Sequence, residues 1–168
     1  CAFYSMNDLA YYGGGYNGSH NQKGRKLVMN NTPHYEYDTK DFESLYVCVP
    51  FIVSTSGYGI YFDDHFRCAE ILPDENGISY ASKSPTPISY YFIGGGDTDK
   101  VMCNYTQLTG RQKLPPYWAL GYITSRYGYR SEAECDEVIK KLRDNNCPVD
   151  ALVIDLYWEG GPFKMGEM

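Results

Sequence analysis

The chain has 168 residues, which suffices for one ordinary domain or for one domain and part of another. Its composition of 43% hydrophobic and 21% charged residues is typical of a folded globular protein, and its net charge of −6 argues against nucleic acids and anionic membranes as partners. No run approaches the roughly 20 apolar residues of a membrane span, and no signal sequence is visible, so the sequence indicates no compartment.

Six cysteines are scattered along the chain without the C-x-x-C or histidine spacing of a zinc site. We therefore predict no metal site and no cofactor, and we interpret the cysteines as reduced or buried thiols. Because the sequence begins with Cys1 rather than methionine, we expect it to have been cut from a longer protein. A lipid-modified mature cysteine is an alternative that no signal sequence supports.

The first part of the chain, from Leu27 to about Tyr91, consists of short β-favouring runs separated by turn residues. The runs at 45–54 and 57–64 predict a hairpin, and the run at 88–95 predicts a further strand. Regular strands with glycine, serine and asparagine between them are typical of an antiparallel sandwich.

A helix is predicted at the end of this region, with Asp97 or Thr98 at its N-cap and Gly110 after its last turn. Its apolar residues recur at helical spacing: Val101, Met102, Tyr105 and Leu108. The segment LPPY at 114–117 then forms a stiff connector, because each proline fixes its own φ and biases the preceding residue toward extended conformations. We place a domain boundary between residues 113 and 114.

Beyond the connector the pattern predicts a strand at 118–125, a helix at 131–146 and a nearly continuous apolar strand at 151–158. Ser131 and Glu134 predict a capping box at the start of the helix. One helix face is apolar: Cys135, Val138, Ile139 and Leu142. Asn145 and Asn146 can adopt the left-handed cap, and Pro148 prevents the helix from continuing. Strand, helix and strand form a βαβ unit, so the two strands are expected to be parallel.

Polar and aromatic residues follow both strands of this unit, in the segments SRYGYR (125–130) and DLYWEG (155–160). The carboxyl ends of parallel strands carry the active sites of (β/α)8 barrels, so both segments are expected at one ligand-binding edge. A carboxylate that accepts bonds from vicinal hydroxyls, beside aromatic rings that stack on a pyranose, favours a carbohydrate ligand.

Each of these residues also has a structural interpretation. Asp155 could cap the next element or pair with Arg126, while Tyr127 and Trp158 could simply pack between strand and helix. Glu159, one step further out, could be solvated.

Four segments resemble glycoside hydrolase family 31, which includes α-glucosidases and α-xylosidases. They are LTGRQKLPPYWALGYITSRYGYRS (108–131), PVDALVIDLYW (148–158), GGGYNGSHNQKGRKLVMNN (13–31) and GYGIYFDD (57–64). The resemblance implies a galactose-mutarotase-like β-sandwich with its closing helix in residues 1–113. Residues 114–168 would then be the first βαβ unit of a (β/α)8 barrel that is incomplete here.

The same resemblance implies a retaining hydrolase with two catalytic aspartates on later barrel strands. A complete barrel needs about 250 residues, so we expect both aspartates beyond Met168 and no catalytic residue in this chain. The chain alone is therefore predicted to be inactive.

The resemblance also implies that this chain carries part of the −1 sugar subsite. Asp155 matches the carboxylate that holds sugar hydroxyls, Leu156 lies beside it on the subsite wall, and Tyr127 matches an aromatic residue of the same pocket. Many relatives have an aspartate after an Asn-x pair in a sandwich loop, whereas Asn30 and Asn31 are followed here by threonine. The two asparagines could act as neutral donors to the sugar, or they could be ordinary turn residues. With Trp158 they complete the predicted substrate-binding set.

Three functional hypotheses follow. In the first, the chain is a fragment of a retaining α-glycosidase that acts on α-linked glucosides or xylosides, with an oligosaccharide or glycoside as its ligand. In the second, it is a non-catalytic carbohydrate-binding β-sandwich module. In the third, it has no independent function, and its two unpartnered parallel strands predict aggregation or partial unfolding. The sequence indicates no oligomeric state and does not distinguish a glucoside from a xyloside.

Overall fold

The structure is a computed structural model and describes residues 1–5, 7–17, 19–31, 47–64 and 68–155. The chain folds as two compact units, one from Cys1 to Arg111 and one that begins at Gln112. In the described residues, no helix is both long enough and apolar enough to cross a bilayer.

The described part of the first unit is built from eight strands and one helix. In chain order these are β1 (Ala2–Tyr4), β2 (Tyr11–Gly15), β3 (Leu27–Met29), β4 (Cys48–Ser54), β5 (Tyr58–Phe62), β6 (Ala69–Asp74), β7 (Gly77–Ala81), β8 (Tyr90–Gly94) and α1 (Thr98–Thr109). The strands form two four-stranded antiparallel sheets with the orders β1-β7-β6-β3 and β2-β4-β5-β8. The predicted antiparallel sandwich is confirmed.

The main hydrophobic core lies between the two sheets. It contains Tyr11, Leu27, Ile52, Ile60, Phe62, Ala69, Ile71, Ile78 and Tyr80. Successive residues of a strand face opposite sides, so Phe51 and Val53 of β4 lie on the other face of their sheet from Ile52. There they pack with Val101 of α1, which is fully buried. Strand β4 is therefore covered on both faces, which explains its continuous apolar sequence.

The predicted hairpin and closing helix are both present. Strands β4 and β5 pair across a turn in which the Gly57 amide donates to the Ser54 carbonyl oxygen. Helix α1 has Asp97 as its N-cap, whose carboxylate accepts a hydrogen bond from the Lys100 amide, and Gly110 as its C-cap. Local signals specified these elements, because their turn and capping residues adjoin the periodic segments.

The second unit contains a 3-10 turn (Tyr117–Leu120), β9 (Ile123–Ser125), α2 (Glu132–Asp144) and β10 (Ala151–Val153). Strands β9 and β10 pair in parallel, as the βαβ pattern predicts. The strand predicted at 118–125 is wrong in its first half. Pro116 is the N-cap of the 3-10 turn, which leaves only three residues for the strand. Strand β10 is likewise shorter than the predicted 151–158, and residues 156–158 lie outside the described part of the chain.

The predicted ends of α2 are confirmed in most details. The Ser131 hydroxyl accepts a hydrogen bond from the Glu134 amide, and Asn146 adopts the left-handed conformation with φ 57°. The four predicted apolar positions are all half-buried on one face. The reciprocal half of the capping box is wrong, because the Glu134 carboxylate accepts from the Arg130 amide, one residue before the cap.

All six cysteines lie among the described residues, and none of them forms a disulfide. This agrees with the interpretation of the cysteines as reduced thiols, whereas burial does not apply, because four are exposed and two are half-buried.

Candidate functional site

Tyr127 and Asp155 leave their strands at equivalent positions. The register pairs Ile123 with Ala151 and Ser125 with Val153, so each of the two candidate residues lies two positions beyond the last pair. Because the strands are parallel, both residues emerge at the carboxyl edge. The structure therefore places both candidates at the same edge of the two neighbouring strands.

Asp155 lies two residues after the end of β10. Its φ of 62° lies in the left-handed region, which aspartate adopts more readily than most other residues. The side chain is half-buried, while Tyr127 is 57% exposed. The alternative pairing with Arg126 is not seen in the described part of the chain, where the Arg126 guanidinium binds Glu134 and the Gly128 carbonyl oxygen.

The segment that carries Tyr127 is folded back onto the first turn of α2. Oε1 of Glu134 accepts from Nη2 of Arg126, and Oε2 accepts from the Arg130 amide at 2.9 Å. The Arg126 guanidinium also lies 5.1 Å from the centroid of the Tyr129 ring, within cation–π range. Tyr129 is only 2% exposed, so it anchors this segment in the second unit.

A cavity of about 410 Å³ opens beside this segment at the carboxyl edge. It is lined by Tyr129, Arg130, Ser131, Glu132, Cys135 and Ile154. Ile154 directly precedes Asp155 in the chain, but neither Asp155 nor Tyr127 lines this cavity. Its volume lies in the range of small-molecule sites, which is about 300–1,000 Å³.

These groups can bind hydroxyls and pack against a sugar ring. Cleavage of a glycosidic bond by retention requires, in addition, a pair of carboxyl groups on either side of that bond. Within the described residues, no group of three or more histidine, cysteine, aspartate or glutamate side chains could hold a metal ion. Leu156, Trp158 and Glu159 lie outside the described residues.

Asn30 and Asn31 lie in the first unit, directly after β3. Oδ1 of Asn31 accepts a hydrogen bond from the Cys48 amide at 2.7 Å, which ties the end of β3 to the start of β4. The backbone amide of Asn30 donates a hydrogen bond to the Val28 carbonyl oxygen. These contacts give Asn31 the structural role that its interpretation as a turn residue implies, and they leave Nδ2 of its amide as the remaining donor.

The first unit also contains a buried acid that the sequence did not reveal. Asp8 is 4% exposed, and its Oδ2 accepts hydrogen bonds from the hydroxyls of Tyr11 and Tyr58 at 2.7 Å each, while its Oδ1 accepts one from Ser54. Burial alone would raise the pKa of Asp8, but its hydrogen bonds, including one from Ser5, hold that pKa well below its usual range. Burial and the bond to Asp8 raise the pKa of Tyr11 above its ordinary value.

A perturbed buried acid is often functional, but this one is fully paired by hydroxyl groups. It joins the segment before β2 to β4 and β5, and we interpret it as a structural tie. No local pattern could have found it, since Ser54 and Tyr58 lie 46 and 50 residues away from Asp8.

A second cavity, of about 460 Å³, lies on the outer face of the sheet that α1 covers. Residues from β2, β4 and α1 line it, among them Tyr12, Thr98, Met102 and Tyr105. The Tyr105 ring stacks on Phe51 with centroids 3.8 Å apart. The cavity is therefore largely apolar with aromatic walls.

Two sequence models of known domains match most of the chain. The glycosyl hydrolase 31 N-terminal galactose mutarotase-like domain matches residues 2–69, and the glycosyl hydrolases family 31 TIM-barrel domain matches residues 112–167. These matches confirm the predicted fold class, a mutarotase-like sandwich followed by the start of a (β/α)8 barrel.

Individual relatives agree with the domain matches. Alpha-glucosidase 2 of Bacillus thermoamyloliquefaciens is 31% identical over 96% of this chain and 21% of its own length. An alpha-xylosidase of Saccharolobus solfataricus is 38% identical over 66% of this chain and 15% of its own length. The structure of a Flavobacterium johnsoniae family 31 dextranase complexed with glucose has a TM-score of 0.82 at 30% identity, over 94% of this chain and 20% of that one. The chain thus spans about one fifth of the length of such relatives.

Proposed function

The chain belongs to glycoside hydrolase family 31, and from this premise we propose that it supplies part of the −1 sugar subsite of a retaining α-glycosidase. The proposed ligands are α-linked glucosides or xylosides. Asp155 accepts hydrogen bonds from sugar hydroxyls, and Tyr127 forms an aromatic wall of the pocket. Leu156 and Trp158 are proposed to extend the same wall.

The observation that supports this assignment best is the parallel register of β9 and β10. It puts a half-buried carboxylate and an exposed tyrosine at equivalent positions of one strand edge. A carboxylate bonded by a hydroxyl forms a charge-assisted contact, which is about twice as strong as a neutral one. The cavity of about 410 Å³ that Ile154 and the first turn of α2 line has room for one pyranose ring.

The proposal assigns binding, and not bond cleavage, to this chain. In family 31 the nucleophile and the acid/base are aspartates expected on later barrel strands, so we expect none of the described acids to act as either. Asn30 and Asn31 are proposed to contribute neutral donors from the sandwich loop, with Nδ2 as the donor on Asn31.

Isothermal titration calorimetry with isomaltose and with isoprimeverose, an α-xyloside, tests the proposal and its choice of sugar. We expect saturable binding of at least one of them and no heat with cellobiose, a β-linked glucoside. Equal responses to all three sugars would argue against an α-glycoside subsite.

A second function is favoured by the cavity on the outer face of the sandwich. Its aromatic residues, Tyr12 and Tyr105, are the kind of side chain that stacks on sugars. In this alternative the sandwich is a non-catalytic carbohydrate-binding module. Loss of sugar binding in Tyr12→Ala, with Tyr127→Ala unaffected, would favour it over the subsite.

A further inference from the structure

We propose that Glu134 is a positioning residue that holds the Arg126–Arg130 segment, and with it Tyr127, at the carboxyl edge of β9 and β10. The inference rests on the proposed function insofar as Tyr127 is a sugar-binding residue. That the Glu134 carboxylate fixes the segment depends only on its hydrogen bonds and not on sugar binding.

The two oxygens of the Glu134 carboxylate accept hydrogen bonds from two different donors. Oε1 binds the Arg126 guanidinium, and Oε2 accepts the Arg130 backbone amide at 2.9 Å. These two contacts bracket Tyr127, one before it and one after it in the chain. A single side chain thus fixes both ends of the segment that presents the tyrosine.

Glu134 is itself held in place. Its own amide donates to the Ser131 hydroxyl at 3.2 Å, so the residue belongs to the capped first turn of α2. Its side chain is 29% exposed, against 51% for Arg126, so solvent screens this pair less than an ordinary surface pair. The segment is therefore attached to a rigid element rather than to another loop.

Further contacts within the second unit also hold the segment. Arg126 also approaches the Gly128 carbonyl oxygen at 3.5 Å and lies over the ring of the buried Tyr129. Gly128 has a φ of 111°, a conformation that favours glycine and lets the chain fold back within five residues. Release of the Glu134 carboxylate would break both its ion pair with Arg126 and its hydrogen bond with the Arg130 amide.

The chemistry requires a carboxylate at this position. A glutamine side chain presents one oxygen, and its NH2 group would face the second donor. Glu134→Gln is therefore expected to release one end of the segment. Exchange of the two charges, Arg126→Glu with Glu134→Arg, cannot restore the bond to the Arg130 amide, because arginine accepts no hydrogen bonds.

The test is NMR of the whole 168-residue chain labelled with 15N and 3-fluorotyrosine, with Tyr127→Phe used to assign the Tyr127 fluorine signal. We expect Glu134→Gln to move the Arg130 amide proton upfield and to shift or broaden the Tyr127 signal. The matched control is Glu137→Gln on the same helix, which breaks an exposed ion pair to Lys141 at 2.6 Å and is expected to leave both signals unchanged. Unchanged signals in Glu134→Gln, or equal changes in both variants, would overturn the proposal.

Sugar titrations of the same samples separate positioning from general stability. We expect Glu134→Gln to weaken isomaltose binding roughly fivefold or more, and the charge-exchanged double variant to remain weakened. Binding restored by the double variant would show a simple ion pair and contradict the two-donor role. If the unmodified chain bound no sugar, the proposed subsite would fail, and the Arg130 and Tyr127 signals would still decide whether Glu134 fixes the segment.

Discussion

Tyr127 and Asp155 each lie two residues beyond the last pair of neighbouring parallel strands, Ser125 and Val153. This equivalence follows from the βαβ unit, whose two strands run in the same direction. It places a tyrosine and an aspartate at the same strand edge, although they are 28 residues apart in the sequence.

The isolated chain is expected to show no hydrolysis of p-nitrophenyl α-glucoside above the uncatalysed rate. Retaining cleavage needs two carboxyl groups about 5–5.5 Å apart, and we assign neither to this chain. Release of nitrophenol is measured by absorbance with purified chain and with buffer alone. Turnover that rises with chain concentration and disappears in Asp155→Asn would contradict the assignment of Asp155 to binding only.

The buried Asp8 is expected to make the first unit sensitive to acid. Its pKa is lowered in the folded chain, so its stabilising contribution is complete above the unfolded value of about 3.9 and is lost as pH falls below that value. Asp8→Asn should lower the free energy of unfolding at pH 7 by about 2–4 kcal/mol, with a smaller difference from the unmodified chain at pH 3.

Urea unfolding followed by near-UV circular dichroism measures this effect. Glu75→Gln is the matched control, because Glu75 is an exposed acid in the turn between β6 and β7. It should change the free energy of unfolding by less than about 0.5 kcal/mol. An Asp8→Asn chain as stable as this control at pH 7 would show that the hydroxyl contacts contribute nothing net.

The β4–β5 turn is expected to tolerate no side chain at Gly57. Its φ is 80°, and a Cβ there would lie 2.3 Å from the carbonyl carbon and oxygen of Gly96. Gly57→Ala should therefore destabilise the first unit by more than the roughly 1–2 kcal/mol of left-handed strain alone. Gly96→Ala is the matched control, since Gly96 has nearly the same φ, 83°, and open space around it. If both variants lowered the thermal unfolding temperature equally, the close approach of Gly96 would not be the cause of the destabilisation.

Local signals explain how much of the fold could be predicted. The ends of α1 and α2 were predicted because Asp97, Ser131 and Asn146 act on their own helices within a few residues. The strand at 118–125 was partly wrong because Pro116 starts a 3-10 turn, which an apolar run does not reveal. The burial of Asp8 could not be predicted, since two of its partners lie on strands far away in the sequence.

The sequence predicts only part of the candidate site. Tyr127 and Asp155 follow predicted parallel strands, so their common edge could be inferred from topology. The double role of Glu134 could not, because a capping box explains the same residue and gives no hint of the Arg126 contact. Asn31 shows the opposite case, in which a proposed sugar donor also has a structural bond to the Cys48 amide.

A residue-resolved sugar titration shows whether Asp155 binds the sugar. The 15N-labelled chain is titrated with isomaltose, and amide shifts are followed in the unmodified chain, in Asp155→Asn and in the control Asp136→Asn, an exposed acid of α2. We expect shifts around Gly128 and Asp155, with affinity reduced roughly tenfold or more in Asp155→Asn and unchanged in Asp136→Asn. Equal affinity in all three chains, or shifts confined to the sandwich, would contradict the binding role of Asp155.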